Sequence, residues 1–120
     1  MIRLGLYAAA GAIVGSLFRY LISEVFHSEN LQQFPWATFT VNIVGALLIG
    51  LCARNQSIFQ NEIKRTFIVT GVLGGFTTYS AFAVETINLF SANPFIACAY
   101  VVSTFGIGVM ATSIALGRRL

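Results

Sequence analysis

The residues best suited to ion chemistry lie within long apolar stretches. Residues 71–80 read GVLGGFTTYS, with three glycines in five residues and then three Ser or Thr side chains in four. This run disfavours a continuous helix, because Gly costs about 1 kcal/mol relative to Ala within one. Interrupted backbone in a membrane exposes carbonyl groups suited to hard cations and N–H groups suited to anions. The alternative is an unbroken helix with a glycine-rich packing face.

Two ionisable residues and one amide accompany this run. Arg19 and Glu85 fall inside apolar segments, where ionisable side chains are rare and are candidates for function. They could pair with each other, or Arg19 could draw anions into a vestibule, or Arg19 could extend to the membrane interface. Asn42 lies on one narrow polar face with Thr38 and Ala46. It either bonds a neighbouring helix or lines a path.

Aromatic and hydroxyl side chains recur at helical spacing. Tyr79 and Phe82 are three residues apart and therefore neighbours on a helix. Ring edges carry partial positive charge and can face a small anion, although most such pairs only pack. A second face carries residues spaced by four over about 18 Å: Tyr100, Thr104, Gly108 and Thr112. Its hydroxyls could pass a dehydrated ion along, or bond carbonyls of their own helix.

The elements that must hold these groups are membrane helices. The chain has 120 residues, 57% apolar and 9% charged, with a mean hydropathy of +0.81. A soluble domain carries about 25% charged residues, and the eleven Phe exclude disorder. At about 20 residues per span, the sequence predicts one all-α domain, 1–120, with four transmembrane helices over about 4–26, 35–53, 66–89 and 95–116. Nothing outside the membrane is large enough to house an enzyme.

The connections and one packing motif follow from the same pattern. Polar loops are predicted at residues 27–33 and 55–65, and a very short loop at 90–94 makes the last two spans a tight antiparallel hairpin. In the first span, Gly11 and Gly15 form a GxxxG pair that allows another helix to approach closely. That helix belongs either to the same chain or to a second copy.

The positive charges cluster at span ends rather than along a surface stripe, which favours membrane anchoring over a nucleic-acid partner. Six of the seven basic residues fall on one side of the predicted topology: Arg3, Arg54, Lys64, Arg65, Arg118 and Arg119. The opposite loops carry none, unless Arg19 is counted there. The positive-inside rule therefore predicts one fixed orientation.

Three motifs in order resemble the small fluoride channels of the Fluc/CrcB type. Residues 71–82, GVLGGFTTYSAF, are similar to that family's GxxGGxTTFSTF. Residues 40–45, TVNIVG, are similar to its VNxxG, and residues 11–20 are similar to GAxxGxxxRY. Tyr79 stands where the family has Phe, and its added hydroxyl bears on fluoride affinity and conduction rate. Ala81 stands where the family has Thr and removes one hydroxyl from the implied pathway.

The resemblance implies an antiparallel, dual-topology dimer whose third helix is broken at mid-membrane. It implies passive export of fluoride from the bacterial cytoplasm through the inner membrane, reducing fluoride toxicity. It implies a central structural Na⁺ held by the carbonyls of Gly74 and Thr77, with Arg19 near the vestibule and Glu85 as the family's acid. The implied fluoride pathway comprises Asn42, Tyr79, Ser80, Phe82, Tyr100 and Thr104.

Two points remain open at this stage. An antiparallel homodimer needs both orientations of one chain, which the charge bias opposes; the alternative partner is an oppositely oriented paralogue. Two other functions compete with a fluoride channel. One is a small proton-coupled exporter of organic cations, in which Glu85 would be the carboxylate, and the other is a purely structural membrane subunit.

Overall fold

The structure is a computed structural model that describes residues 1–26 and 33–117. Within those ranges the structure is helical, without strands, and four helices are long and apolar enough to cross a membrane. The four-helix prediction is therefore confirmed. A span of 23 residues is about 34 Å long at 1.5 Å per residue, which exceeds the hydrocarbon thickness of about 30 Å.

Three spans are single helices, and the other is segmented. The single helices are α1 (Ile2–Val25), α2 (Trp36–Arg54) and α7 (Pro94–Leu116). A short helix, α3 (Gln56–Phe59), follows α2. The third span, Glu62–Ala92, consists of α4 (Glu62–Arg65), a π-helical segment (Thr66–Leu73), α5 (Gly74–Phe76) and α6 (Tyr79–Ala92).

The connection between the third and fourth spans is a single residue. Asn93 accepts bonds on its side-chain oxygen from the backbone N–H groups of Phe95 (3.1 Å) and Ile96 (3.3 Å). Pro94 follows at the first helical position, where its missing N–H costs nothing. The predicted tight hairpin is confirmed, and α7 ends at Gly117, whose left-handed φ of 73° ordinary residues rarely adopt.

The prediction of a polar loop over residues 55–65 was wrong in part. Asn55 and Asn61 each begin a short helix, with side-chain oxygens that accept from the N–H groups of Ser57 and Lys64, both at 3.0 Å. These caps make the connection a structured turn of α3 and α4. Most of the predicted loop at residues 27–33, and the basic residues 118 and 119, lie outside the described residues.

Glycines join α1 to the first half of the third span. A Cβ on Gly71 would lie 2.7 Å from the Ala8 carbonyl oxygen, and one on Gly75 would lie 2.9 Å from the Ala12 Cα. Gly11 and Gly15 face the same contact from α1 and are themselves buried. The GxxxG pair therefore packs within the chain, which resolves the alternative left open by the sequence.

An aromatic cluster joins the second half of the third span to α7. Phe82, Leu89, Ala97 and Tyr100 are buried together, with Phe34 and Phe39 packed against them. Outside this cluster, large apolar side chains cover the surface of α1, including Ile13, Leu17, Phe18 and Leu21. Exposed apolar surface of this extent is suited to lipid.

Candidate functional site

The third span is interrupted at two consecutive threonines. α5 ends at Phe76 and α6 begins at Tyr79, while Thr77 (ψ 158°) and Thr78 (φ −145°, ψ 118°) have extended backbone between them. The Thr78 hydroxyl accepts from the Ala81 N–H at 3.2 Å and so caps α6. The interruption is thus built from a helix end, two extended residues and a capped helix start.

The interruption redirects two N–H groups that a continuous helix would direct to carbonyls of the preceding turn. In a continuous helix, the Gly74 carbonyl would accept from the Thr78 N–H and the Thr77 carbonyl from the Ala81 N–H. Here those N–H groups donate to the side chains of Asn42 and Thr78 instead. Carbonyl oxygens freed in this way are ligands that hard cations prefer.

Asn42 holds the interruption from α2. Its side-chain Nδ2 donates to the Thr78 carbonyl at 3.0 Å, and its Oδ1 accepts from the Thr78 N–H at 2.9 Å. The amide therefore satisfies both polar groups of one extended peptide residue. Of the two sequence-based alternatives, Asn42 bonds a neighbouring segment, and it also lines the ring cavity described below.

Two polar side chains of α1 approach the same segment. The Arg19 guanidinium donates to the Thr77 carbonyl and the Ser16 hydroxyl to the Gly75 carbonyl, both at 3.5 Å. These bonds are long and therefore weak. Arg19 also borders a 430 Å³ cavity that Glu85 reaches from α6. We refer to this space as the vestibule cavity.

Glu85 is held by hydroxyl groups and not by Arg19 within the described residues. The Thr38 hydroxyl donates to Oε1 and the Tyr100 hydroxyl to Oε2, each at 2.7 Å. Tyr100 is fully buried (0% exposed) and Thr38 is buried too. Hydrogen bonds to a charged acceptor are stronger than neutral ones, so these donors fix the carboxylate between α2, α6 and α7.

The aromatic pair lies directly beyond the interruption. The Tyr79 and Phe82 rings are 6.3 Å apart, centroid to centroid, and tilted by 36°. Phe82 is buried, whereas Tyr79 is 78% exposed. Both border a 230 Å³ cavity, the ring cavity, together with Asn42, Thr77, Thr78, Thr104 and Phe105. Four predicted pathway residues therefore meet at one place: Asn42, Tyr79, Phe82 and Thr104.

The remaining predicted pathway residues lie close by. Tyr100 packs against Phe82, with 5.0 Å between ring centroids. The Ser80 hydroxyl is 3.4 Å from the Thr78 hydroxyl and does not line the ring cavity. On α7, Thr104 donates to the Tyr100 carbonyl at 2.6 Å. Further along the predicted hydroxyl ladder, Thr112 donates to the Ala46 carbonyl of α2 at 2.8 Å.

A third cavity, of 300 Å³, opens beside Gly74 and is lined mainly by α2 and the first half of the third span. A Cβ on Gly74 would have only the Val69 carbonyl oxygen near it, at 4.0 Å. Gly74 is exposed, in contrast to its neighbour Gly75. We refer to this surface as the Gly74 face.

Comparison with known proteins assigns the family. Residues 6–117 match the family described as "CrcB-like protein, Camphor Resistance (CrcB)". The chain belongs to this CrcB-like family. A protein of Agrobacterium fabrum named "Fluoride-specific ion channel FluC" is 40% identical, over 100% of this chain and 99% of its own length. Proteins of the same name from Elusimicrobium minutum (44%, covering 72% of this chain and 69% of theirs) and Helicobacter pylori strain G27 (37%, 91% and 87%) are also similar.

Three residues of this CrcB-like site escaped sequence reasoning. Thr38 binds Glu85, Thr78 supplies the peptide that Asn42 holds, and Phe105 meets the Phe82 ring edge-on at 5.7 Å. For Thr38 the signal was present, because it shares a helical face with Asn42. Phe105 carried no signal, since its contact depends on how α6 and α7 pack.

Proposed function

We propose that this chain forms a fluoride-selective channel that lets cytoplasmic fluoride leave passively down its electrochemical gradient. The observation that carries the proposal is the full-length similarity, at 40% identity, to a protein named fluoride-specific ion channel. The juxtaposition of ring edges, hydroxyls and an amide beside an interrupted helix supports it. The proposed activity is conduction, with no enzymatic step.

Conduction would use the polar groups already gathered around the interruption. Fluoride is a compact anion that needs hydrogen-bond donors when it loses water, and pore linings supply such donors. Ring edges of Tyr79 and Phe82 offer weak positive charge that does not trap the ion. The Tyr100 and Thr38 hydroxyls donate to Glu85 in this structure, so an anion passing there must compete with the carboxylate for them.

Export without energy input follows from the chemistry of fluoride. The anion enters acid-exposed cells as neutral HF and dissociates in the cytoplasm, where its charge prevents return through lipid. A channel lets the trapped anion leave. Reduction of fluoride toxicity at the bacterial inner membrane is the role we propose.

A second, antiparallel copy would complete the site. The Tyr79 ring is 78% exposed, although an aromatic pore residue needs walls on every side. Gly74 has open space where a Cβ would be, so the single chain does not require its small size. Small residues permit close helix approach in lipid, and the Gly74 face is where we place the partner. The interruption would then lie at mid-membrane in both copies.

A structural Na⁺ fits the Gly74 face. The Gly74 and Thr77 carbonyls do not receive the N–H groups that a continuous helix would supply. Their oxygens are therefore available as ligands for Na⁺. Paired carbonyls from two copies would surround the ion, whose charge would hold the copies together. Arg19 also approaches the Thr77 carbonyl, at 3.5 Å, and its positive charge limits how strongly a cation binds there.

Fluoride efflux from liposomes is the deciding experiment. Protein reconstituted with internal fluoride should release it rapidly, as read by a fluoride electrode, with no response to an imposed proton gradient. Efflux that requires the proton gradient would favour the exporter alternative, in which Glu85 carries protons. No efflux from folded protein would favour a structural subunit.

The proposed Na⁺ is tested by exchanging the cation. Replacing Na⁺ on both sides with N-methyl-D-glucamine should reduce efflux and weaken the dimer, because a bulky organic cation cannot sit among four carbonyls. Equal efflux and equal dimer stability in both cations would contradict a site at Gly74 and Thr77. In potassium, a larger ion than Na⁺ but one that carbonyl oxygens can still bind, efflux and dimer stability should lie between those in the other two cations.

Orientation decides between a homodimer and pairing with a paralogue. Gln60 is exposed in the structured turn between α3 and α4. A Gln60→Cys variant lacking Cys52 and Cys98 should react half-completely with a membrane-impermeant maleimide on intact cells if the chain inserts both ways. Complete or absent labelling would mean one orientation, as the charge bias predicts, and would require an oppositely oriented paralogue.

A further inference from the structure

One end of the molecule concentrates exposed positive charge outside the site described above. Arg3 lies in the first turn of α1, Arg54 ends α2, and Lys64 and Arg65 belong to α4; all four are exposed. Glu62 is the one acidic residue among the described residues at this end. Conduction as proposed uses none of these side chains.

The turn between α2 and the third span arranges part of this charge in a defined geometry. Lys64 Nζ lies 3.5 Å from the Ser57 hydroxyl, and the Arg65 guanidinium donates to the Phe59 carbonyl at 3.4 Å. The Arg65 guanidinium carbon lies 5.8 Å from the centroid of the Phe59 ring, which is 42% exposed. We call these four residues, Ser57, Phe59, Lys64 and Arg65, the basic turn.

The basic turn combines features that recognise a membrane surface. Capping by Asn55 and Asn61 fixes α3 and α4, so Lys64 and Arg65 are presented from a structured element. Apolar side chains such as Phe insert at the headgroup–acyl boundary from segments that lie in the interface, and juxtamembrane basic clusters attract anionic headgroups. A guanidinium also matches two phosphate oxygens at once.

We infer that the basic turn binds the phosphate of an anionic phospholipid, with the Lys64 and Arg65 cations on the headgroup and the Phe59 ring at the acyl boundary. This binding is separate from fluoride conduction and also from the role of basic residues in orienting the chain during insertion. It concerns the folded protein in its final bilayer.

The test measures lipid retention by purified protein, so insertion cannot contribute. Protein is equilibrated in micelles with equal phosphatidylglycerol and phosphatidylcholine, and retained lipids are counted by native mass spectrometry. Wild type should prefer phosphatidylglycerol. Lys64→Gln combined with Arg65→Gln should lower the ratio of the two lipids by about thirtyfold, whereas Lys64→Arg with Arg65→Lys should keep it.

Thermal unfolding supplies a second readout. Phosphatidylglycerol should raise the unfolding midpoint of wild type and of the charge-preserving variant, but not that of the glutamine variant, and high salt should abolish the difference. Equal retention of both lipids by wild type, or an unchanged ratio in the glutamine variant, overturns the inference. Displacement of the lipid by an equal concentration of inorganic phosphate would assign the basic turn to a free anion and overturn it as well.

Discussion

The two halves of the third span are held in place by opposite means. Before the interruption, the chain packs on α1 through backbone-to-backbone contacts that Gly71 and Gly75 make possible. After it, α6 packs through large side chains, with Phe82 and Leu89 buried against Ala97 and Tyr100 of α7. The first half is positioned by the absence of side chains and the second by their shape and polarity.

This difference explains why the interruption has a defined geometry. Two helices positioned on different neighbours need a fixed junction, and Asn42 provides one by bonding both polar groups of Thr78. Glycine therefore does not make the junction loose. It lets the first half lie close to α1, while α2 holds the backbone that follows.

The largest expected effect comes from filling the glycine contact. A side chain on Gly11 would meet the Gly71 Cα and Val72 nitrogen, each 2.9 Å from a Cβ. We expect Gly11→Leu to cost more than about 4 kcal/mol and to prevent folding. Gly5→Leu, on the same helix with nothing within 4 Å, is the matched control and should fold. Yield and thermal unfolding in detergent measure both, and equal stability of the two variants would contradict the contact.

The second largest effect on stability is expected from removing the Asn42 amide that holds Thr78. Asn42→Ala leaves the Thr78 N–H and carbonyl without their side-chain partner, at about 2–4 kcal/mol for the two groups. Asn42→Asp can still accept from the N–H but cannot donate to the carbonyl, and its charge repels an anion. We expect both variants to lose thermal stability and fluoride efflux, with Asp losing more efflux than stability.

The outcome also separates two roles of Asn42. If Asn42→Asp conducts fluoride normally while Asn42→Ala does not, the amide serves only to hold Thr78. If both conduct normally, Asn42 lies off the path and the junction is held by other contacts. Efflux is therefore measured alongside the unfolding midpoint for every variant.

The sequence predicted the elements well because their signals are local. Apolar length placed four spans, and the GVLGGFTTYS run marked the unusual segment. It did not predict that Thr66–Leu73 is π-helical, because an apolar run does not distinguish a π-helix from an α-helix. Nor did it predict the Asn42–Thr78 bonds, since the pairing of two polar groups 36 residues apart depends on how spans pack.

A smaller effect on stability is expected from the hydrogen bonds to Glu85 in the second half of the third span. Tyr100→Phe removes one of the two hydroxyls that donate to Glu85 at 2.7 Å, and Thr38 remains as the other. We expect a loss of about 1.5–3 kcal/mol in the free energy of unfolding. Combining Tyr100→Phe with Glu85→Gln should cost less than the sum, because both changes remove the charged character of the same bond. Strict additivity in the four-member cycle would show that the bond adds nothing.

The smallest effect on stability is expected at the ring pair, where function should change most. Phe82→Ile replaces a buried ring by an apolar side chain and should cost about 1.5 kcal/mol or less, leaving assembly intact while fluoride efflux falls severalfold. Tyr79→Phe keeps the ring edge and removes only the hydroxyl of a 78% exposed side chain, so stability should change by less than about 0.5 kcal/mol.

Comparing the two ring variants isolates the role of the ring edge. If the edge contacts the anion, Tyr79→Phe conducts fluoride normally and Phe82→Ile conducts severalfold less, although their free energies of unfolding differ by no more than about 1.5 kcal/mol. Loss of efflux in Tyr79→Phe would instead assign the anion contact to the Tyr79 hydroxyl. Unchanged efflux in Phe82→Ile would remove the ring pair from the pathway and leave the hydroxyls of Tyr100 and Thr104 as its candidates.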